Sequence, residues 1–116
     1  MSDGLKTIVY PVKDLAPAKA LFRALLGVEP YADEPYYAGF RTGTHEIGLD
    51  PQGHAKGMTG PVPYWVVADI RRSLAELLEA GAEPLQDVQD VGGGTLIASV
   101  RDRDGNPVGL FQDAPA

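Results

Sequence analysis

The feature that most constrains this chain is that it repeats itself. Val12-Lys13-Asp14-Leu15 returns as Val67-Ala68-Asp69-Ile70, and Gly27 with Glu29-Pro30 returns as Gly81 with Glu83-Pro84. Further on, Gly39-Phe40-Arg41 is answered by Ser99-Val100-Arg101, and Ile47-Gly48-Leu49 by Val108-Gly109-Leu110. Matches that recur in one order indicate a duplicated unit, so the chain is expected to fold as two similar modules.

Behind each repeated Asp the apolar residues fall at helical spacing. Leu15, Ala18, Phe22, Leu25 and Leu26 mark a helix over 15–26, and Ile70, Leu74, Leu77 and Leu78 mark one over 70–80. Asp14 and Asp69 sit at the N-cap position, whose side chain accepts from the free amides of the first turn. Gly27 and Gly81 suit the left-handed residue that ends a helix. Each half then reads as strand, helix and three strands. The strands are placed at about 5–12, 28–33, 36–41 and 46–50, and at about 62–67, 85–91, 95–101 and 107–112. Arg41-Thr42-Gly43 and Asp104-Gly105-Asn106-Pro107 are turn sequences that support the later breaks. The fold class is therefore α+β, built from two tandem βαβββ modules in a single domain. Module one covers about 5–50, a Gly/Pro-containing linker about 51–61, and module two about 62–112. Neither half has much apolar face, so the two sheets are expected to share one core or to pair with a second chain.

Composition removes several functions. Sixteen acidic against ten basic residues give a formal net charge of -6, and there is no cysteine. A thiolate nucleophile, a disulfide framework and a Cys-built metal site are excluded. Nucleic acid is not an expected partner, because phosphate neutralisation needs a basic face. A membrane is not expected either, since no apolar run approaches the roughly 18 residues of a span. Met1–Lys6 has neither the basic nor the apolar region of a signal peptide, which leads to a cytoplasmic expectation.

The duplicated strand-helix-strands pattern, Val-x-Asp-Leu opening a helix, Leu25-Leu26-Gly27, and the Asp-Gly-Asn-Pro turn before the last strand together resemble the vicinal oxygen chelate superfamily. That superfamily includes the glyoxalase, bleomycin resistance and extradiol dioxygenase proteins. The resemblance implies sheets curled into a half-open trough and a small molecule bound inside, in proteins that are often homodimers. It also implies four metal-ligand places, one on the first and one on the last strand of each module, where His, Gln or Glu stands in the enzymes. Mapped onto this chain they fall on Thr7, Gly48, Val62 and Gly109. None of these carries an imidazole or a carboxylate, so no metal and no other cofactor is expected. A one-residue shift brings Asp50 or Glu46 toward the place on module one's last strand, without completing a four-ligand site.

The two histidines do not alter this. His45 lies at a hairpin and His54 in the linker, without the spacing of a metal-binding pair. Gly92-Gly93-Gly94 lacks the strand-to-helix context of a phosphate loop and reads as a flexible turn.

With metal set aside, the trough face itself is the candidate site. Strand alternation from the ligand places puts Thr7, Val9, Tyr37, Gly48, Asp50, Val62, Tyr64, Ser99, Gly109 and Phe111 on it, and puts Trp65 against a helix. Glycine at 48 and 109 is expected to bare the floor and let a bulky ligand approach the backbone. Tyr37, Tyr64 and Phe111 are placed to stack on it.

Three functional readings follow. The leading one is a metal-independent small-molecule binding protein, sequestering an aromatic or cationic antibiotic or metabolite, and acting as a homodimer. The alternative is a metal-dependent lyase, isomerase or dioxygenase of the same superfamily with a divergent metal site. The third is a small dimeric interaction or regulatory module. Enzyme activity is left open, with the four ligand places speaking against it.

Overall fold

A computed structural model of the chain describes residues 2–115. Its eight strands and two helices follow the order β1 (Ser2–Pro11), α1 (Leu15–Leu26), β2 (Ala32–Glu34), β3 (Tyr37–Thr42), β4 (His45–Asp50), β5 (Val62–Val67), α2 (Ile70–Glu79), β6 (Glu83–Asp90), β7 (Leu96–Arg101) and β8 (Pro107–Gln112). The fold is α+β with a mixed sheet, two copies of the βαβββ pattern in succession.

The residues cluster into two compact units. Thr7–Val62 form one; among the described residues, 2–6 and 63–115 form the other. In the first unit the strands run in the order β2-β3-β4-β1, with β4 parallel to β1 and the other pairs antiparallel. In the second the order is β1-β5-β8-β7-β6, with β5 parallel to β8 and antiparallel pairing beyond it. The boundary cuts through β1. Its first residues belong with module two, where the Ser2 hydroxyl donates to the Val66 carbonyl at 2.7 Å.

The helix ends obey local chemistry. The Asp14 carboxylate accepts from the Ala16 amide at 3.2 Å, and that of Asp69 from the Arg72 amide at 3.2 Å. Gly27 takes the left-handed conformation at φ 70° and returns its N–H to the Arg23 carbonyl, closing α1. Helix α2 has a further support from a distance, since the Ile70 amide donates to Oε1 of Gln112 at 2.8 Å.

Each module has a buried cluster of its own. In the first unit Phe22, Ala38, Phe40 and Leu49 are buried between α1 and its sheet, with Phe22 5.1 Å from the Tyr10 ring and 6.2 Å from the Phe40 ring. In the second, Val67, Ile70, Ala98 and Leu110 are buried, with Leu74 and Leu77 of α2 packed on them. Large aromatics in one and branched aliphatics in the other let a short helix cover a four-stranded surface. Trp65 is not against a helix in the way its strand phase suggests. It shares the parity of buried Val67 but is 38% exposed, outside the group that α2 covers.

Two segments differ from the expected strand and linker. β2 is confined to Ala32–Glu34, because Pro30 has no amide to give a ladder and Glu29 is tied back to Arg23 at 2.9 Å. Residues 51–57 form hydrogen-bonded turns in place of an extended linker. Met58 N–H donates to the Gly53 carbonyl at 2.9 Å, and Gly53 is so close to Pro11 that a β-carbon would come 2.8 Å from its Cα.

Candidate functional site

Because Phe40, Leu49 and Tyr10 point to the helix side of module one, the residues alternating with them occupy the opposite face. The register lays these out in rows. Thr7 stands beside Glu46 and Glu46 beside Arg41; Val9 stands beside Gly48 and Gly48 beside Gly39; Pro11 stands beside Asp50. Tyr37 lies on the same face, two residues along β3 from Gly39. In module two, Tyr64 stands beside Gly109 and Gly109 beside Ser99, while Val66, Phe111 and Ile97 form the next row.

The ten residues singled out from sequence thus fall in two groups. Thr7, Val9, Tyr37, Gly48, Asp50 and Val62 are in the first unit; Tyr64, Ser99, Gly109 and Phe111 are in the second. Thr7, Gly48, Asp50, Val62, Tyr64, Ser99 and Gly109 are buried, and the rest are partly covered. The Lys6 ammonium sits 5.5 Å from the centre of the Phe111 ring.

The glycine floor is not bare, and that expectation is overturned. A β-carbon on Gly48 would collide with the Tyr37 hydroxyl and lie 2.9 Å from Tyr37 Cζ. On Gly109 it would meet both Cγ and Cε1 of Tyr64 at 2.7 Å, and on Gly39 the Tyr31 hydroxyl at 3.0 Å. Missing side chains on a strand leave a shelf, and a neighbouring aromatic ring of the same module covers it. The glycines therefore receive the protein's own rings.

Asp50 also has a different part from the one expected. Its Oδ1 accepts from the Gln52 amide at 2.8 Å and its Oδ2 from Lys56 Nζ at 2.8 Å, so the carboxylate holds the turn that follows β4. By contrast Thr7 is 7% exposed, and among the described residues its hydroxyl has no hydrogen-bond partner.

Sequence reasoning missed the most polar group on this face. The Tyr31 hydroxyl donates to Oε1 of Glu46 at 2.6 Å, while the Arg41 guanidinium lies 4.0 Å over the Tyr31 ring and 3.8 Å from Oε2 of Glu46. Burial, and then the Glu46 hydrogen bond, push the Tyr31 hydroxyl far above its ordinary pKa, keeping it a neutral donor. Only the pairing of β2, β3 and β4 joins residues 31, 41 and 46, and no local motif marks them.

A divalent metal does not fit the ligand places. Thr7, Gly48, Val62 and Gly109 offer one hydroxyl and no carboxylate or imidazole, and two of the four places lie under tyrosine rings. Glu46 is engaged with Tyr31, Asp50 with Lys56, and His45 is exposed at the β3–β4 turn. Among the described residues no three His, Asp or Glu side chains come together in a way that could hold an ion. Nor is any helix among them long and apolar enough to cross a membrane.

No curated protein matches the sequence. Solved structures do resemble the fold. Methylmalonyl-CoA epimerase from Mycobacterium tuberculosis is similar at a TM-score of 0.71 and 18% identity, over 98% of this chain and 90% of that one. A glyoxalase/bleomycin resistance protein/dioxygenase superfamily member from Vibrio splendidus 12B01 is similar at a TM-score of 0.72 and 16% identity, over 94% of this chain and 99% of that one. A hypothetical protein, BH1468 from Bacillus halodurans C-125, is similar at a TM-score of 0.75 and 15% identity, over 97% and 95%. At these identities the likeness is one of fold. The sequence profile of one family spans residues 4–110, nearly both repeats, and the chain belongs to the Glyoxalase/Bleomycin resistance protein/Dioxygenase superfamily.

Proposed function

We propose that this chain is a metal-independent binding protein that sequesters a flat aromatic or cationic small molecule, an antibiotic or a metabolite, without turning it over. The observation that carries this reading is the occupancy of the ligand places. Where the family's enzymes present metal-binding side chains on the last strand of each module, this chain presents glycine under tyrosine. Such a face offers ring surface and phenol groups, which suit stacking and cation–π contact rather than Lewis-acid chemistry. The net charge of -6 adds attraction for a cation. In this reading the protein acts in the cytoplasm and as a homodimer, the assembly that the family resemblance implies.

The test is a thermal-shift screen of flat aromatic compounds, charged and neutral, paired with native mass spectrometry of protein purified without chelator. A ligand present at about 100 times its Kd stabilises the folded state by about 2.7 kcal/mol, a rise of several degrees. The proposal expects such a rise, with the compound recovered unchanged and no stoichiometric metal. One divalent ion per chain, or consumption of a bound compound, would replace it with the metal-dependent enzyme reading. A panel without any shift would leave the interaction-module reading.

A further inference from the structure

We infer that a tyrosine has taken over the metal's place in each module, Tyr37 across Gly48 and Tyr64 across Gly109, and that these two rings are the specificity-determining groups of the two faces. The ligand part of this inference rests on the binding function proposed above; the structural part does not.

The argument comes from how each ring reaches its glycine. Gly48 and Gly109 are equivalent in the repeat, but the tyrosines are not. Tyr37 is on β3, and the matching residue of module two is Ile97 on β7. Tyr64 is on β5, and the matching residue of module one is Val9 on β1. Duplication therefore does not explain why both glycines are covered. Two different strands deliver the same kind of side chain to the same place, which points to a requirement of the site.

The two coverings also differ in kind. Gly48 is met by the outer end of Tyr37, its hydroxyl and Cζ, which a small rotation can withdraw. Gly109 is met by the root of the Tyr64 ring, Cγ included, which can move only with its strand. Tyr64 is 8% exposed, whereas Tyr37 is partly open. Module two thus presents a fixed ring, and module one an adjustable phenol beside Tyr31 and Glu46.

Proton NMR of the whole protein tests the geometry without crowding it. The Hα resonances of Gly48 and Gly109 should be displaced by ring currents, and Tyr37→Ala and Tyr64→Ala should each abolish the displacement at its own glycine. Crowding variants give a second reading. Gly109→Ala should lower the melting temperature by roughly 5 °C or more and Gly48→Ala by less, with Tyr37→Ala relieving the Gly48→Ala loss. Should Gly109→Ala fail to fold, the ring-current shifts still decide. Random-coil-like glycine shifts, or a Gly48→Ala loss that Tyr37→Ala leaves unchanged, would overturn the inference. So would one Zn2+ or Mn2+ held per chain after dialysis of the wild type. For the ligand part the probe is proflavine, a flat cationic dye, whose binding should weaken at least tenfold in Tyr37→Ala or Tyr64→Ala. Equal binding by both variants and wild type would overturn the tyrosines as specificity determinants. No dye binding by the wild type, with ring currents intact, would count against the proposed function and leave the tyrosine replacement standing.

Discussion

Tyr31 and Asp50 show how far a single residue's role depends on its neighbours in space. The Tyr31 hydroxyl is bound to Glu46 and its ring is covered by Arg41, contacts that no local pattern around residue 31 marks. Folding raises its pKa, so the associated stability is fully present below the unfolded tyrosine value of about 10 and is lost as pH rises through the higher folded value. In a spectrophotometric alkaline titration, Tyr31 should therefore ionise above the ordinary tyrosine range, and Tyr31→Phe should remove that late step. The same variant should cost about 1–2 kcal/mol near neutral pH, measured by urea unfolding, because a hydrogen bond to a charged and largely covered acceptor is lost. Asp50 alternates with the core residue Leu49 along β4. The carboxylate nonetheless points its hydrogen bonds along the chain to Gln52 and Lys56, which strand alternation does not reveal.

At the scale of the element, both helices were legible because capping and periodicity are local. Asp14, Asp69 and Gly27 act through amides and carbonyls within four residues of themselves. What was not legible is the long-range support at the start of α2. Gln112→Ala should cost about 1 kcal/mol by leaving the Ile70 amide without its acceptor, and the loss should be visible as earlier fraying of α2 in hydrogen exchange. The two helices also differ outwardly. The exposed side of α2 carries Arg71, Arg72, Glu76 and Glu79, while that of α1 carries Leu21 at 64% and Leu25 at 71% exposure. Leu25→Lys is accordingly expected to change unfolding stability by less than about 0.5 kcal/mol. Phe22→Ala, three residues away and 7% exposed, should cost about 3–5 kcal/mol because it removes the ring joining Tyr10 to Phe40. The short β2 is the counterexample, since Val28 looks strand-forming but Pro30 has no amide to give and Glu29 is paired with Arg23, so the pairing with β3 begins only at the Tyr31 amide, which donates to the Gly39 carbonyl at 2.8 Å.

At the scale of the whole molecule, charge makes a prediction that single contacts do not. If the ligand is a cation drawn by the net charge of -6, its affinity should fall as salt rises from about 20 to 500 mM, because screening shortens the reach of exposed charge. A neutral aromatic ligand held by stacking alone should show little change over the same range, measured by fluorescence titration. The duplication set the order of elements, the α+β class and the family, because each is written in local patterns that occur twice along the chain. Gly48 and Gly109 drew attention through the family resemblance, which implies metal-ligand places there. Only the tertiary structure decided what fills those positions, that each module has a buried cluster of its own, and that β1 divides its residues between two units. The physical reason is reach. Caps, turns and periodicity act over a few residues, whereas Tyr37 meets Gly48, and Tyr64 meets Gly109, through strand pairings whose register is set only when the sheets form.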